Sequence, residues 1–128
     1  MADDRYPNYP PGCPPNPRHD GRGTFYRAVK LKDQPRDRDF YSPARMREGE
    51  DMEPCEREAI SIFSSLSDAA SALKLMRGHP RRYVAELHLK GDQGVIRASP
   101  GELQSHHEWW IPADVDPKRY VVVTHGPF

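Results

Sequence analysis

Proline is the feature that most limits what this chain can fold into. Pro7, Pro10, Pro11, Pro14, Pro15 and Pro17 are six of its fourteen prolines, crowded into one short stretch. Each fixes φ and removes a backbone donor, so neither a helix nor a central strand can run through them. Gly12, Gly21 and Gly23 add flexibility, and the apolar content is too low to offset the entropy of ordering. Residues 1–22 therefore read as a Pro/Tyr-rich extended or disordered tail, or as a strap on the domain's own surface. Tyr6 and Tyr9 among the prolines are candidates to dock in an aromatic-lined groove of a partner protein.

The remainder, 23–128, is enough for one modest core. The chain's 19 Lys and Arg balance its 19 Asp and Glu, so no global field draws it to nucleic acid or to an anionic membrane. No apolar run is long enough for a membrane helix. The opening MADDRYPNYPPG lacks the basic-then-apolar pattern of a secretory signal. Cys13 and Cys55 are too few for a disulfide framework or a four-thiolate zinc site. These features describe a small cytoplasmic protein without naming its activity.

Thr24–Leu31 alternates as a strand, with Phe25, Arg27, Val29 and Leu31 on one face. An arginine among three apolar residues must meet a partner or line a cavity. A short helix is expected around Asp39–Arg47, and the acidic run 48–53 reads as a solvated loop. From Pro54 to Arg77 the pattern forks. Apolar spacing fits one long helix, with Pro54 in its first turn. Against that stand the β-branched Ile60-Ser61-Ile62-Phe63 and the cap signature Ser65-Leu66-Ser67-Asp68, which fit a strand over 59–64 followed by a helix over 66–76. Arg82–Leu89 alternates as a strand, Gly91–Gly94 reads as a turn, and Val95–Ala98 as a short strand. Tyr120–Thr124 reads as a central strand buried on both faces. The expected fold class is α+β: a single domain of four to five mostly antiparallel strands with two helices.

From Phe25 to Val123 the chain resembles a group of small uncharacterised bacterial proteins. The matches are Phe25, Arg27, Ala28 and Val29; Asp39, Phe40 and Ser42; Ile60, Ser61, Ile62 and Phe63; Tyr83, Val84, Ala85 and Leu87; and His107 with Trp110. That resemblance favours the strand-then-helix side of the fork. The same element order looks like a compact ADP-ribosyltransferase core of the RES or DarT type. In that superfamily an Arg or His on the first strand holds NAD, a Ser- or Thr-bearing second strand props the pocket, and a later Glu stabilises an oxocarbenium-like charge. The resemblance assigns Arg27 to the first role and Ser61 to the second, with Ser64 or Ser65 as lesser candidates. Glu86 or Glu108 would take the third. A guanidinium can fork two N–H groups onto phosphate, and a carboxylate lowers the energy of a cationic transition state. The chain has no Ser-Thr-Ser triplet and no Gln-x-Glu or Glu-x-Glu pair.

His106-His107-Glu108-Trp109-Trp110 is the densest cluster of reactive side chains. Neighbours on a strand point to opposite faces, so the two histidines cannot share a metal there. His107 is the candidate base or stacking partner, with Trp110 or Trp109 as an aromatic wall. No metal is expected. Cys55 sits among glutamates that raise a thiol pKa, which argues against a cysteine nucleophile. Arg77, His79, Arg81 and Arg82 beside Tyr83 form a possible nucleic-acid patch, which the neutral net charge disfavours. Two readings follow. In the first, the chain is an NAD-consuming ADP-ribosyltransferase or NAD-glycohydrolase, a toxin or defence effector with a cognate antitoxin. Arg27, Ser61 and Trp110 would then bind NAD, and Glu86 and His107 would be catalytic. In the second, it is a non-catalytic module that meets a protein through the tail and a Trp109/Trp110 surface.

Overall fold

The computed structural model describes residues 5–33, 35–75 and 82–128. Five strands carry the fold: β1 (His19–Val29), β2 (Ile60–Phe63), β3 (Tyr83–Ala98), β4 (His106–Trp110) and β5 (Val121–His125). All pairings are antiparallel. The sheet order is β1-β2-β4-β3-β5, and an additional β1–β3 pairing closes the first four strands into a small barrel. Two helices, α1 (Pro54–Arg57) and α2 (Leu66–Leu75), complete the α+β domain.

Strand β3 is continuous where a turn was expected at Gly91–Gly94. Asp20 faces Val95 and Arg22 faces Lys90, so Gly91–Gly94 bulge out opposite Gly21 and the strand bends without ending. Gly94 has φ +104°, and a side chain there would collide with the Trp110 carbonyl. The bend lets one strand pair with β1, β4 and β5.

Residues directly opposite in a ladder share a face. Phe25, Ile60, Ile62, Leu87, Leu89, Ile96 and Trp109 fill the inner side of the barrel, and Phe40 joins the same cluster. Outside, Phe63 and Val84 meet Ala69 and Ala72 of α2. The fork over 59–76 thus resolves as a strand and then a helix. The Ser65 hydroxyl accepts from the Asp68 N–H at 3.2 Å, as the cap signature implies. The Asp68 carboxylate does not reach back, however; it accepts from the Ser105 N–H at 3.1 Å and ties α2 to the loop before β4.

Three other expectations are corrected. Around 39–47 there is a 3-10 turn, Asp37–Phe40, in place of a helix; Pro43 follows too soon for helical hydrogen bonds to propagate. Strand β5 lies at the sheet edge and pairs with β3 alone, leaving Val122 53% and Val123 46% exposed, so it is not buried on both faces. Trp109 and Trp110 are both fully buried and offer no surface. Their indoles donate to the carbonyls of Gln93 (2.8 Å) and Cys55 (2.9 Å).

Strand β1 begins at His19, inside the proline-rich segment, and the residues before it lie against the domain as a strap. Tyr6 and Tyr9 pack with Cys55, Ala59 and Trp110. The Tyr9 hydroxyl donates to the Ile111 carbonyl at 3.0 Å. The Arg5 carbonyl accepts from Ala113 N–H at 2.8 Å. Cys13 and Cys55 form a disulfide across a sequence separation of 42. Closing a loop of that length restricts the unfolded chain by about 4 kcal/mol. Cys13→Ser is therefore expected to lower unfolding stability by roughly that amount in urea titration. It is also expected to open the strap to limited proteolysis ahead of the barrel. An unchanged urea midpoint would show that the crosslink does not hold the strap.

Candidate functional site

The expected site residues do not share one cleft. Arg27 extends from β1 and is 7% exposed. Its Nε donates to the Asp39 carbonyl and its Nη1 to the Ser61 carbonyl, each at 2.7 Å. Asp39 is fully buried, and its carboxylate accepts from the N–H groups of Arg36 (2.8 Å) and Lys30 (3.3 Å). Arg27 and Asp39 thus bind the 36–40 segment to β1 and β2, and Phe40 enters the barrel cluster beside them. Two of the sequence matches behind the resemblance, Arg27 and the Asp39-Phe40 pair, thus take part in this internal bonding and packing.

Glu86 lies elsewhere. Its two carboxylate oxygens each meet a histidine Nε2 at 2.8 Å, one from His125 and one from His88. The bond to His125, and next that to His88, hold the Glu86 carboxyl below the usual carboxylate range. Glu108, the other candidate, is buried and paired with Arg97 at 3.0 Å. His107 shares the inner parity of Trp109 and contacts Phe25 edge-on at 5.5 Å. Trp110 stands against the strap.

The structure does unite Arg27 and Ser61 with a residue that sequence reasoning passed over. A pocket of about 300 Å³ opens between α2, β2 and the loop leading to β4. Arg27, Ser61, Ser99 and His106 line it, with Phe63, Ala72, Leu75 and Leu103 as an apolar wall. Ser61 Oγ and His106 Nε2 are 2.8 Å apart, and His106 Nδ1 is 2.8 Å from the Ser99 carbonyl oxygen. A carbonyl can only accept, so Nδ1 carries a proton, and in the neutral ring the Nε2 lone pair faces the Ser61 hydroxyl. The three groups, a hydroxyl, a ring nitrogen and a carbonyl that orients the ring, have the order that a nucleophile, its base and an orienting group require. Choosing His106 over His107 needed the register of β4, because a shift of one residue exchanges the faces.

Among the described residues, no group of three or more His, Cys, Asp or Glu side chains is disposed to hold a metal ion. No helix among them is long and apolar enough to cross a membrane. Of the possible nucleic-acid patch, Arg77, His79 and Arg81 fall outside the described residues; Arg82 is exposed, and Tyr83 opens β3. No protein-family model, curated protein or solved structure matches the chain.

Two outcomes follow. Arg27→Met removes donors from two carbonyls inside the fold and is expected to cost about 3 kcal/mol of stability in urea denaturation. An unchanged midpoint would free Arg27 for a ligand role. Glu86 is held low in the folded state, so its contribution is present above the unfolded value, about 4.3, and is lost as the pH falls through the folded value. Glu86→Gln is expected to flatten the acid limb of the stability profile. A limb as steep as wild type would sink that assignment.

Proposed function

We propose that the pocket beside α2 is a hydrolytic acyl-transfer site run by Ser61 and His106. The observation that carries this reading is the Ser61–His106–Ser99 chain of contacts, opening onto a pocket with an apolar wall. Ser61 Oγ would attack the carbonyl carbon of a small ester while His106 Nε2 takes the hydroxyl proton. Collapse of the tetrahedral adduct would break the bond to the alcohol, which leaves with that proton. Water, deprotonated by the same nitrogen, would then release the acid and restore Ser61. Arg27 lines the same pocket, and its positive charge favours an anionic adduct. The small volume suits a short acyl chain.

A second reading has one observation in its favour. Arg27 and Ser61, which the resemblance assigns to NAD, line this same pocket. Glu86, His107 and Trp110 do not line it, and the carboxylate that does is Glu102. The Cys13–Cys55 disulfide also bears on setting. Persistent disulfides favour oxidising compartments, whereas a cytoplasmic location would keep both cysteines reduced.

One assay separates these readings. Purified wild type, Ser61→Ala and His106→Gln are given p-nitrophenyl acetate and butyrate in one arm and labelled NAD in the other. Ester turnover by wild type that falls about 100-fold or more in both variants is the expected result. Equal rates in all three proteins would refute the acyl-transfer reading, and NAD turnover would establish the second one.

A further inference from the structure

A larger cleft, of about 680 Å³, lies under the strap on a different part of the molecule. Tyr6 and Tyr9 form one wall, their rings stacked 5.1 Å apart. Phe40 and Ile60 form an apolar floor, and Arg45 and Glu58 stand at its sides. The volume lies within the roughly 300–1,000 Å³ range of pockets that enclose a small ligand.

Most charges around this cleft already have partners. Arg5 bonds Asp114 at 3.2 Å and the Asp92 carbonyl at 2.7 Å. Asp37 meets Lys118 at 2.8 Å, and Asp116 caps the Lys118 N–H at 3.1 Å. Two groups differ. Among the described residues the Glu58 carboxylate takes part in no hydrogen bond or ion pair, and the Arg45 guanidinium meets no carboxylate. Arg45 lies over the Tyr41 ring at 3.8 Å instead. An exposed arginine alone would simply be solvated. A carboxylate and a guanidinium that share one apolar-floored cleft, without pairing to each other, present two opposite charges to whatever enters.

We propose that this cleft binds a small zwitterion with an apolar side chain, such as a free apolar amino acid or a short peptide with both ends free. Its ammonium group meets Glu58, its carboxylate meets Arg45, and its side chain covers Phe40 and Ile60. Burial raises the Glu58 carboxyl above its ordinary value, and the positive charge of Arg57 offsets that rise only in part. Burial, and then the nearby Glu58, raise the Tyr9 hydroxyl. Arg45 can fork onto a carboxylate while it stays stacked on Tyr41. The strap supplies a wall, so the site is complete only while residues 5–9 stay docked.

The test is titration calorimetry on the intact, oxidised chain with leucine, Leu-Leu, N-acetyl-Leu-Leu and Leu-Leu-amide. Saturable binding of leucine or of Leu-Leu is expected, and which of the two binds tells the amino acid from the peptide. Capping either end is expected to weaken binding at least tenfold, as are Glu58→Gln and Arg45→Gln. Ser61→Ala, in the other pocket, is expected to bind as wild type does, so failure here is separate from failure of the acyl-transfer reading. Absence of heat with both free ligands, or equal binding of capped and free forms, would overturn the proposal. Circular dichroism of each variant checks that it is folded.

Discussion

Strand β3 is the member on which the other elements depend. Its first half pairs with β1 on one edge and β5 on the other, and its second half reaches β4. Strands that meet three neighbours must bend, and glycine at the bend removes the steric obstacle. Closure of the barrel then follows from two short pairings, β1 with β2 and β2 with β4. Once the barrel is closed, Arg27 is held in place because two carbonyls accept its hydrogen bonds. Buried donors and acceptors are costly when unmet, so the position is fixed by satisfaction more than by charge.

The disulfide has a comparable role on the outer side. Proline denies residues 5–18 any regular structure, so nothing in their own backbone holds them to the barrel. Tyr6, Tyr9 and the Cys13–Cys55 bond do so instead. Trp110 depends on the same arrangement, because its indole donates to the Cys55 carbonyl while its outer face is covered by the strap. A chain of 128 residues has little core to spare. Using its first residues as a cover enlarges the apolar surface it can bury.

Strand β1 and the α+β class were legible from local alternation, whereas for β2 and α2 the β-branching and the Ser65 cap stood against a helical spacing of apolar residues, and the resemblance tipped the fork. The closure was not legible, since no local pattern says that β1 meets β3 as well as β2. Valine-rich β5 reads as central from composition, yet it lies at the edge because it pairs with β3 alone. Site residues fared in the same way. Arg27 was singled out correctly as a residue needing partners, but their identity, two main-chain carbonyls, lies beyond sequence. Alternation places Ser61 on the outer face of β2, whereas telling His106 from His107 needs the parity of β4, which depends on pairing. Glu58 and Arg45 carried no signal at all, being two charges among many until the strap and the 37–45 segment brought them to one cleft.

Reactivity of Ser61 is the point on which the functional reading turns. The direct measurement is intact-mass and peptide mapping after exposure to a fluorophosphonate, with wild type beside His106→Gln. A single adduct on Ser61, lost when His106 is replaced, is the expected result. An unlabelled wild-type protein, or an adduct on Ser61 that persists without His106, would contradict a nucleophile activated by this pair.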